Sequence, residues 1–189
     1  MTDQRPSKSA LRLTFLERRL QIPPEARQRA ARAVFEAFFS HVQVPAGVVV
    51  SGYAPMRGEL DDLPVLRELL QRGHTCALPH VAGKGLPLEF RAWTELTPMT
   101  TSPFNIAEPA AGEGLEPDIL LVPLAAFDTK CHRLGYGAGF YDRTIARLRG
   151  MKPVLAIGLA YEEQGYDALP VEEYDAKLDM VITDRNIYK

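Results

Sequence analysis

The chain has 189 residues, of which 46% are hydrophobic and 24% charged, and its formal net charge at pH 7 is −2. This length suits one α/β domain with a sizeable core, and the composition is close to that of average soluble proteins, which excludes a fibrous repeat and a largely disordered chain. The near-neutral charge gives no general attraction to nucleic acid or anionic lipid, so we expect neither as a partner.

Cysteine usage and hydropathy indicate the compartment. The two cysteines, Cys76 and Cys131, lie far apart and lack the paired spacing of a zinc or redox site. The basic N-terminal residues are not followed by the apolar region of a signal peptide, and no run approaches the roughly 20 apolar residues of a membrane span. We therefore expect a cytoplasmic protein without a membrane segment. Separately, we expect a monomer or a weak homo-oligomer.

Two helices are predicted before any strand. Residues 7–20 place Leu11 and Phe15 at helical spacing, and the Ile-Pro-Pro sequence that follows ends this helix. A second helix is predicted from Pro24, a residue suited to the first helical turn, toward His41. The first helix is short and basic.

The middle of the chain predicts strands around one helix. Residues 47–54 form a short β-branched run typical of a buried strand, and a helix from 61 or 62 to 72 follows. Further strands are predicted at 74–79 and 88–93. Residues 94–116 are rich in Pro, Gly, Thr and Glu, so we expect a long surface loop that forms one wall of a substrate site.

The last third predicts a β-loop-α-β unit. Residues 118–127 are the strongest buried-strand signal, and a helix at 140–149 and strands at 153–160 and 179–184 follow. Alternating strands and helices predict a mostly parallel sheet with helices on both faces, which is a three-layer α/β/α, Rossmann-like architecture. We expect one domain over residues 1–189.

The segment RLGYGAGFYD at 133–142 carries the clearest chemical signal. Three alternating glycines before a helix leave backbone N–H groups free to converge on an anion. The spacing matches neither the GxxxxGK[ST] loop nor the GxGxxG fingerprint, and a turn that only redirects the chain is the alternative. The preceding buried strand, the adjacent Arg133, and Asp142 as a magnesium ligand favour a phosphate site. Taken alone, Asp142 would be an acid that complements the helix dipole.

The longer block DILLVPLAAFDTKCHRLGYGAGFYDRTIARL at 118–148 resembles the signature of the 5-formyltetrahydrofolate cyclo-ligase family. Lys8 and Arg12 as K-x-x-x-R, GELD at 58–61 and LPVEEYDAKLDMVIT at 169–183 extend the resemblance over essentially the whole chain. The resemblance implies that ATP phosphorylates the formyl oxygen of 5-formyltetrahydrofolate and that N10 then closes the ring. The products would be 5,10-methenyltetrahydrofolate, ADP and phosphate, with Mg²⁺ as cofactor.

The resemblance also implies roles for individual residues. Lys8 and Arg133 would act in catalysis, and Asp142 and Asp175 would hold magnesium. ATP would be contacted by Lys8, Arg12, Arg133, Leu134, Gly135, Tyr136, Gly137, Ala138, Gly139, Phe140 and Tyr141. The folate pocket would include Ala54, Glu59, Phe104, Tyr136, Gly137, Ala138, Gly139 and Phe140.

Each of these residues also has a plainer interpretation. Lys8 and Arg12 are four residues apart and so share one helix face, which suits a polyanion but also describes a solvated basic stripe. Glu59 could be an ordinary acid at the end of a loop, although the position after a buried strand is where α/β sheets bind ligands. Phe104 could close a small apolar cluster under its loop.

The chain departs from the family pattern at three positions. Cys131 stands where many members have glycine, which puts the local turn in question. Tyr136 and Ala138 occupy positions where some members carry basic residues. Neutralisation of the phosphates would therefore rest on Arg133, Lys8 and magnesium.

Two other functions stay open. The first is a nucleotide- or folate-binding module without turnover, against which the retention of Glu59, Arg133, Asp142 and Asp175 argues. The second is an enzyme of the same fold that acts on another formylated or amide substrate. Nucleic-acid binding ranks last, because it would need a basic face with interleaved aromatic residues.

Overall fold

The computed structural model of the protein describes residues 6–189. Its α-helices are α1 (Lys8–Leu20), α2 (Pro24–His41), α3 (Leu63–Gln71) and α4 (Phe140–Arg149). Ser7 caps α1 by accepting a hydrogen bond from the Ala10 N–H, and Pro24 opens α2, where its missing N–H costs nothing. All four predicted helices are confirmed. No helix in the described part of the chain combines the length and the apolar character needed to span a bilayer.

The strands are β1 (Val49–Ser51), β2 (Thr75–His80), β3 (Glu89–Ala92), β4 (Met99–Thr101), β5 (Ala107–Pro109), β6 (Gly114–Leu115), β7 (Ile119–Pro123), β8 (Ala126–Phe127), β9 (Arg133–Leu134), β10 (Leu155–Ala160), β11 (Met180–Thr183) and β12 (Ile187–Tyr188). Eight of them form one sheet in the order β12-β11-β10-β7-β1-β2-β3-β6. The five strands from β11 to β2 are parallel, and antiparallel strands complete both edges. The prediction of a mostly parallel sheet is confirmed.

The order of the parallel strands determines where a ligand can bind. Numbered along the chain, β1, β2, β7, β10 and β11 lie in the order 2-1-3-4-5. This is the flavodoxin-like arrangement of a doubly wound sheet, so the description as Rossmann-like holds for the layers but not for the strand order. The order reverses between β1 and β7, and ligands of such sheets bind outside the carboxyl ends of the strands at this point.

Helices cover both faces of the sheet. Along β7, Leu121 belongs to the apolar cluster that contains Val34 of α2, and Leu120 belongs to the other cluster, which contains Ile145 of α4. The whole of β7 is buried, as expected for a central strand with helices on both sides. Burial of each such aliphatic side chain contributes about 1.5–3 kcal/mol to the free energy of folding. The three-layer α/β/α architecture is confirmed.

Helix α1 lies outside these layers, at the end of the sheet that contains the carboxyl end of β7. Leu11 and Phe15 pack with Ala126 of β8 and with Leu134 and Leu169 in a separate apolar cluster. The opposite faces of α1 are polar or exposed. The packing of its apolar stripe therefore fixes which basic residues of α1 turn toward the sheet end.

The prediction that residues 94–116 form a long surface loop is wrong in that the segment contains strands, although Phe104 and Ile106 within it do line the cavity described below. This segment contains the hairpin β4–β5, and β6 adds to the sheet edge beside β3. The buried carboxylate of Glu108 secures the hairpin, because its oxygens accept from the Val81 N–H at 3.0 Å and pair with His80 Nδ1 at 2.9 Å. Local composition could not reveal these long-range contacts.

The predicted strand at 118–127 is two strands. β7 ends at Pro123, and β8 pairs with β9 in a separate two-stranded sheet. Between them, the carbonyl oxygens of Leu124 and Ala125 accept hydrogen bonds from the Gln164 side chain, and Arg19 also donates to Leu124. Side chains thus satisfy the backbone where it leaves the main sheet.

The turn at Cys131 has the backbone conformation that glycine adopts most easily. Its φ of 63° lies in the left-handed region, and its side chain is fully buried in the apolar cluster under α4. Asp128 holds this turn, since its carboxylate accepts from the N–H groups of Lys130 and His132 at 3.0 Å. Cys131 thus adopts the left-handed conformation itself, and the Asp128 hydrogen bonds hold the turn in place.

Candidate active site

A cavity of about 350 Å³ lies at the carboxyl end of β1 and β7, where the strand order reverses. Its walls come from α1, the segment after β1, the hairpin end, the glycine loop with the start of α4, and residues 172–175. Every residue expected in the site lines this one cavity: Lys8, Arg12, Ala54, Glu59, Phe104, Arg133, Leu134, Gly135, Tyr136, Gly137, Ala138, Gly139, Phe140, Tyr141, Asp142 and Asp175. The fold therefore brings together residues that are up to 167 positions apart.

The glycine loop ends in a helix N-terminus that faces the cavity. Gly137 and Gly139 have φ values of 93° and 67°, and Gly139 is the residue that precedes the first turn of α4. A Cβ atom at Gly137 would lie 3.3 Å from the guanidinium carbon of Arg12. The backbone conformation favours glycine here, and a side chain would also displace the Arg12 guanidinium slightly. The first N–H groups of α4 have no partner within the helix, so this end favours an anion.

Helix α1 supplies two cations to the cavity. Arg12 donates from Nε to the Gly135 carbonyl at 2.7 Å and so braces the glycine loop. Lys8 Nζ lies 2.5 Å from Asp175 and 2.6 Å from Glu172. Burial by itself lowers the pKa of Lys8, but the hydrogen bonds and charges of Asp175 and Glu172 raise it above its ordinary value. Lys8 is thus a fully charged ammonium group at neutral pH.

Arg133 and Asp142 form the most buried ion pair of the cavity. Arg133 Nη2 donates to Asp142 Oδ1 at 2.6 Å, and the side chains are 4% and 20% exposed. The Ala176 N–H donates to the same carboxylate oxygen at 3.0 Å. Burial lowers the pKa of Arg133, and the charge of Asp142 opposes this effect. The pair joins β9, α4 and the segment before β11.

The two acids expected to hold magnesium each keep one oxygen available. Within residues 6–189, no hydrogen bond reaches Asp142 Oδ2 or Asp175 Oδ1, because their partners all bind the other oxygen. The same part of the chain contains no cluster of three or more His, Cys, Asp or Glu residues arranged around a metal position. Mg²⁺ usually binds through one or two carboxylates together with water and phosphate oxygens. The donor set fits that mode and does not form an all-protein cage.

Glu59 is the acid on the opposite side of the cavity. Its side chain is almost completely buried, and it accepts from the Met56 N–H at 2.8 Å and from the Tyr136 hydroxyl. Burial raises the pKa of Glu59, and these hydrogen bonds and the charges of Arg19 and Arg57 oppose the rise. Unlike the other acids of the cavity, Glu59 has no ion-pair partner among the described residues.

An apolar wall completes the cavity. Phe104, 40% exposed at the turn of the β4–β5 hairpin, packs edge-to-face on Phe140 with ring centroids 5.6 Å apart. Pro79, Val81, Leu88 and Ile106 lie on the same side. A flat aromatic ligand can pack between such side chains, whereas a phosphate group cannot. The cavity is therefore polar at the glycine loop and apolar toward the hairpin.

Several residues of the site were missed in the sequence. Arg19 is 2% exposed and donates to Tyr136, and Arg57 and Glu172 line the cavity. A signal existed for Arg19, because it follows Lys8 by eleven residues and so lies on the same face of α1. No local pattern pointed to Arg57, which has a left-handed backbone with φ of 49°.

Known proteins are similar to this chain in sequence and in architecture. The model of the 5-formyltetrahydrofolate cyclo-ligase family matches residues 4–184. A Mycolicibacterium smegmatis protein named 5-formyltetrahydrofolate cyclo-ligase is 32% identical, over 95% of this chain and 94% of its own. An Escherichia coli protein of that name is 31% identical, over 92% and 98%. The NMR structure of Aquifex aeolicus 5,10-methenyltetrahydrofolate synthetase has a TM-score of 0.81 at 30% identity, over 96% of this chain and 92% of that one.

Proposed function

Since the chain belongs to the 5-formyltetrahydrofolate cyclo-ligase family and is an enzyme of that type, we propose that it converts 5-formyltetrahydrofolate to 5,10-methenyltetrahydrofolate at the expense of ATP. The observation that carries the proposal is the division of one cavity into an anion-binding half and an apolar half with a single buried acid. A nucleotide triphosphate and a reduced folate are the two ligands that these halves suit.

The polar half binds the triphosphate of ATP. The N–H groups at the start of α4 donate to phosphate oxygens, and Arg12 keeps the glycine loop in shape by its bond to Gly135. Lys8 and Arg133 neutralise the charge that develops as the γ-phosphoryl group moves. Both cations are already paired with carboxylates, so ATP replaces these partners rather than meeting unpaired charges.

Asp142 and Asp175 hold Mg²⁺ through their available oxygens. When bound, the ion supplies charge neutralisation between the phosphates. The arrangement explains why the acids lie beside the cations: as Lys8 and Arg133 turn toward phosphate, each carboxylate is left with an unbalanced negative charge that suits a metal ion.

The other half binds the folate. Glu59 accepts N–H groups of the folate and orients it, Phe104 and Phe140 pack on its flat rings, and Ala54 leaves room at the end of β1. The formyl group then lies toward the glycine loop, where Tyr136 to Phe140 meet both ligands. Because the two halves belong to one cavity, a direct phosphoryl transfer between the two substrates is possible.

The chemistry requires no protein nucleophile. The formyl oxygen forms a bond to the γ-phosphorus while the bond from this phosphorus to ADP breaks. N10 then attacks the formyl carbon, the carbon–oxygen bond breaks, and the proton from N10 leaves with the released hydrogen phosphate. Alignment of the two substrates and neutralisation of the phosphates supply most of the catalysis.

A cytoplasmic location is part of the proposal. Both cysteines are unpaired and buried, which suits a reducing compartment. Burial raises the pKa of Cys76 to about 12, so this thiol stays protonated at neutral pH and acts as a small apolar side chain.

The test is an absorbance assay of purified protein with 5-formyltetrahydrofolate, ATP and Mg²⁺, in which the methenyl product is followed in the near ultraviolet. Growth of the product that requires both ATP and Mg²⁺ supports the proposal. Folded protein that binds ATP but gives a flat trace would contradict it. The same assay with other N-formyl compounds would then separate an enzyme of altered substrate from a binding module.

A further inference from the structure

Two buried side chains, Arg19 and Glu59, and the half-buried Tyr136 between them connect α1, the glycine loop and the acid of the folate half. Arg19 Nη1 donates to the Tyr136 hydroxyl at 2.7 Å, and this hydroxyl donates to Glu59 Oε1. The three residues lie 117 and 77 positions apart in the chain. None of the roles described above for ATP or folate explains why an arginine should be buried behind this tyrosine.

Arg19 cannot turn away from Tyr136. It is 2% exposed, and its other N–H groups donate to the Arg57 carbonyl at 3.0 and 3.1 Å and to the Leu124 carbonyl at 3.2 Å. The guanidinium carbon also lies 5.6 Å from the centre of the Tyr136 ring. Three hydrogen bonds to two further segments thus fix the guanidinium group in one orientation.

The direction of the hydrogen bonds follows from this arrangement. A guanidinium group can only donate, so the Tyr136 oxygen accepts from Arg19, and the Tyr136 hydroxyl donates its own proton to Glu59 Oε1. Glu59 Oε1 must then be an acceptor, and Oε2 is already an acceptor for the Met56 N–H. Both oxygens are held as acceptors, which is the pattern of an ionised carboxylate and not of a carboxylic acid.

The remaining groups around Glu59 have mixed effects. Burial opposes the charged form of Glu59, and the charges of Arg19 and Arg57 favour it. The buried Asp62 is the other carboxyl group nearby, and burial together with the charge of Glu59 raises its pKa. Burial also raises the pKa of Tyr53 and Tyr141, so both are neutral at neutral pH. Tyr161 contacts the same residue, but its hydroxyl donates to the Glu59 backbone carbonyl at 3.2 Å and not to the carboxylate. Tyr136 is therefore the one side chain of the described residues that hydrogen-bonds to the Glu59 carboxylate.

We propose that Tyr136, fixed by Arg19, is a positioning residue that keeps Glu59 ionised and directed into the folate half of the cavity. This inference rests on the proposed function for the role of the ionised carboxylate, which is to accept N–H groups of the folate. Tyr136 would then have a second role besides its place in the glycine loop. The loop that binds the phosphates would also hold Glu59, the acid of the folate half, in its ionised form.

The experiment compares Tyr136→Phe with Tyr161→Phe, two substitutions that each remove one hydroxyl next to Glu59. The ring and its packing on Arg19 are kept in Tyr136→Phe, so we expect the protein to fold. Removal of a hydrogen bond to a charged group should raise the Glu59 pKa by about one pH unit. The ionised fraction of Glu59 at acidic pH then falls. In the pH profile of kcat/KM for the folate, the acidic limb moves to higher pH by the same amount. At pH values below the limb, kcat/KM is then tenfold lower than in the wild type.

Tyr161→Phe should leave this limb where it is. Glu59→Gln should abolish it, and the Tyr136→Phe change should have no further effect on the limb in that background. An unmoved limb in Tyr136→Phe, or an equal movement in Tyr161→Phe, would overturn the inference.

A second measurement separates this inference from the proposed function. Carbon-13 NMR of glutamate-labelled protein gives the Glu59 pKa without turnover, with Glu59→Gln to assign the signal. A higher Glu59 pKa in Tyr136→Phe than in the wild type and in Tyr161→Phe supports the positioning role even if the wild type forms no methenyl product. Equal values in all three proteins would refute that role even if the enzyme is active.

Discussion

Asp142→Asn is the substitution that tests the polar half of the cavity most directly. Asp142 Oδ1 accepts from both Arg133 Nη2 at 2.6 Å and the Ala176 N–H at 3.0 Å, while Oδ2 has no partner in the described residues. An asparagine in the same orientation keeps Oδ1 as the acceptor for both donors. It removes the negative charge and replaces the available oxygen by an NH₂ group that cannot bind a cation.

The cost to stability should be moderate. Removal of one partner from a fully buried ion pair costs about 3–5 kcal/mol. Asp142 is 20% exposed and the amide retains both hydrogen bonds, so we expect a loss of at most about 3 kcal/mol. A domain that is stable by about 5–15 kcal/mol stays folded after such a loss. Urea unfolding, followed by circular dichroism, measures the difference.

The effect on turnover should be much larger than the effect on folding. Loss of one group that stabilises developing charge costs about 10²–10³ in kcat. The apparent affinity for Mg²⁺ in the activity assay should fall together with kcat. A folded Asp142→Asn variant with a near-normal rate would refute the assignment of Asp142 to the metal.

The chain offers a matched control. Asp179 Oδ2 accepts from Arg149 at 2.7 Å and from the Ala156 N–H at 2.7 Å, which is the same pair of donor types away from the cavity. Asp179→Asn should therefore reproduce the loss of an ion pair without loss of activity. An equal fall of kcat in both variants would show that disturbance of the fold, and not the site, explains the result.

Three further predictions concern the turn before Arg133, the core and the apolar wall. Burial tends to raise the pKa of Asp128, but hydrogen bonds, above all from His132, lower it below its ordinary value of 3.8. The ionised Asp128 should thus stabilise the fold above pH 3.8, and this stabilisation should disappear as the pH falls through the pKa that Asp128 has in the folded protein. In urea titrations, the difference in stability between the wild type and Asp128→Asn should therefore become smaller in acid. A larger difference in acid would contradict this prediction. Gly158→Ala should cost about 1–3 kcal/mol in the same titrations, because the new Cβ would lie 2.7 Å from Leu178 Cδ1; unchanged stability would mean that the core yields there. Phe104→Ala should raise KM for the folate about tenfold and leave KM for ATP unchanged, and an equal rise in both constants would argue against its place in the folate half.

Elements with a strong local pattern were predictable. The α4 helix was predicted at its observed bounds, because a glycine precedes it and its apolar residues follow the helical period. The central strand β7 was predicted but extended too far, since its apolar run continues through Leu124 and Ala125 after the chain has left the sheet. Hydrophobicity marks burial, and it does not mark which buried residues pair in a ladder.

Elements that depend on distant partners were not predictable. The β4–β5 hairpin lies in a segment with the composition of a loop, and it is fixed by Glu108 through contacts to His80 and Val81 on another strand. A buried acid that caps a distant backbone leaves no periodic signal in its own segment. The same reason applies to Arg19, whose partners lie on three other segments.

Local periodicity and a long ordered motif were enough to predict the α/β class, the glycine loop and many of the residues that line the cavity. How these residues are paired follows only from the packing in three dimensions. Lys8 and Arg133 each lie against one of the acids expected to bind magnesium, and the Tyr136 hydroxyl donates to Glu59. Such pairings depend on distances between segments far apart in the chain, and those distances are set by the packing of α1 and the strand order of the sheet.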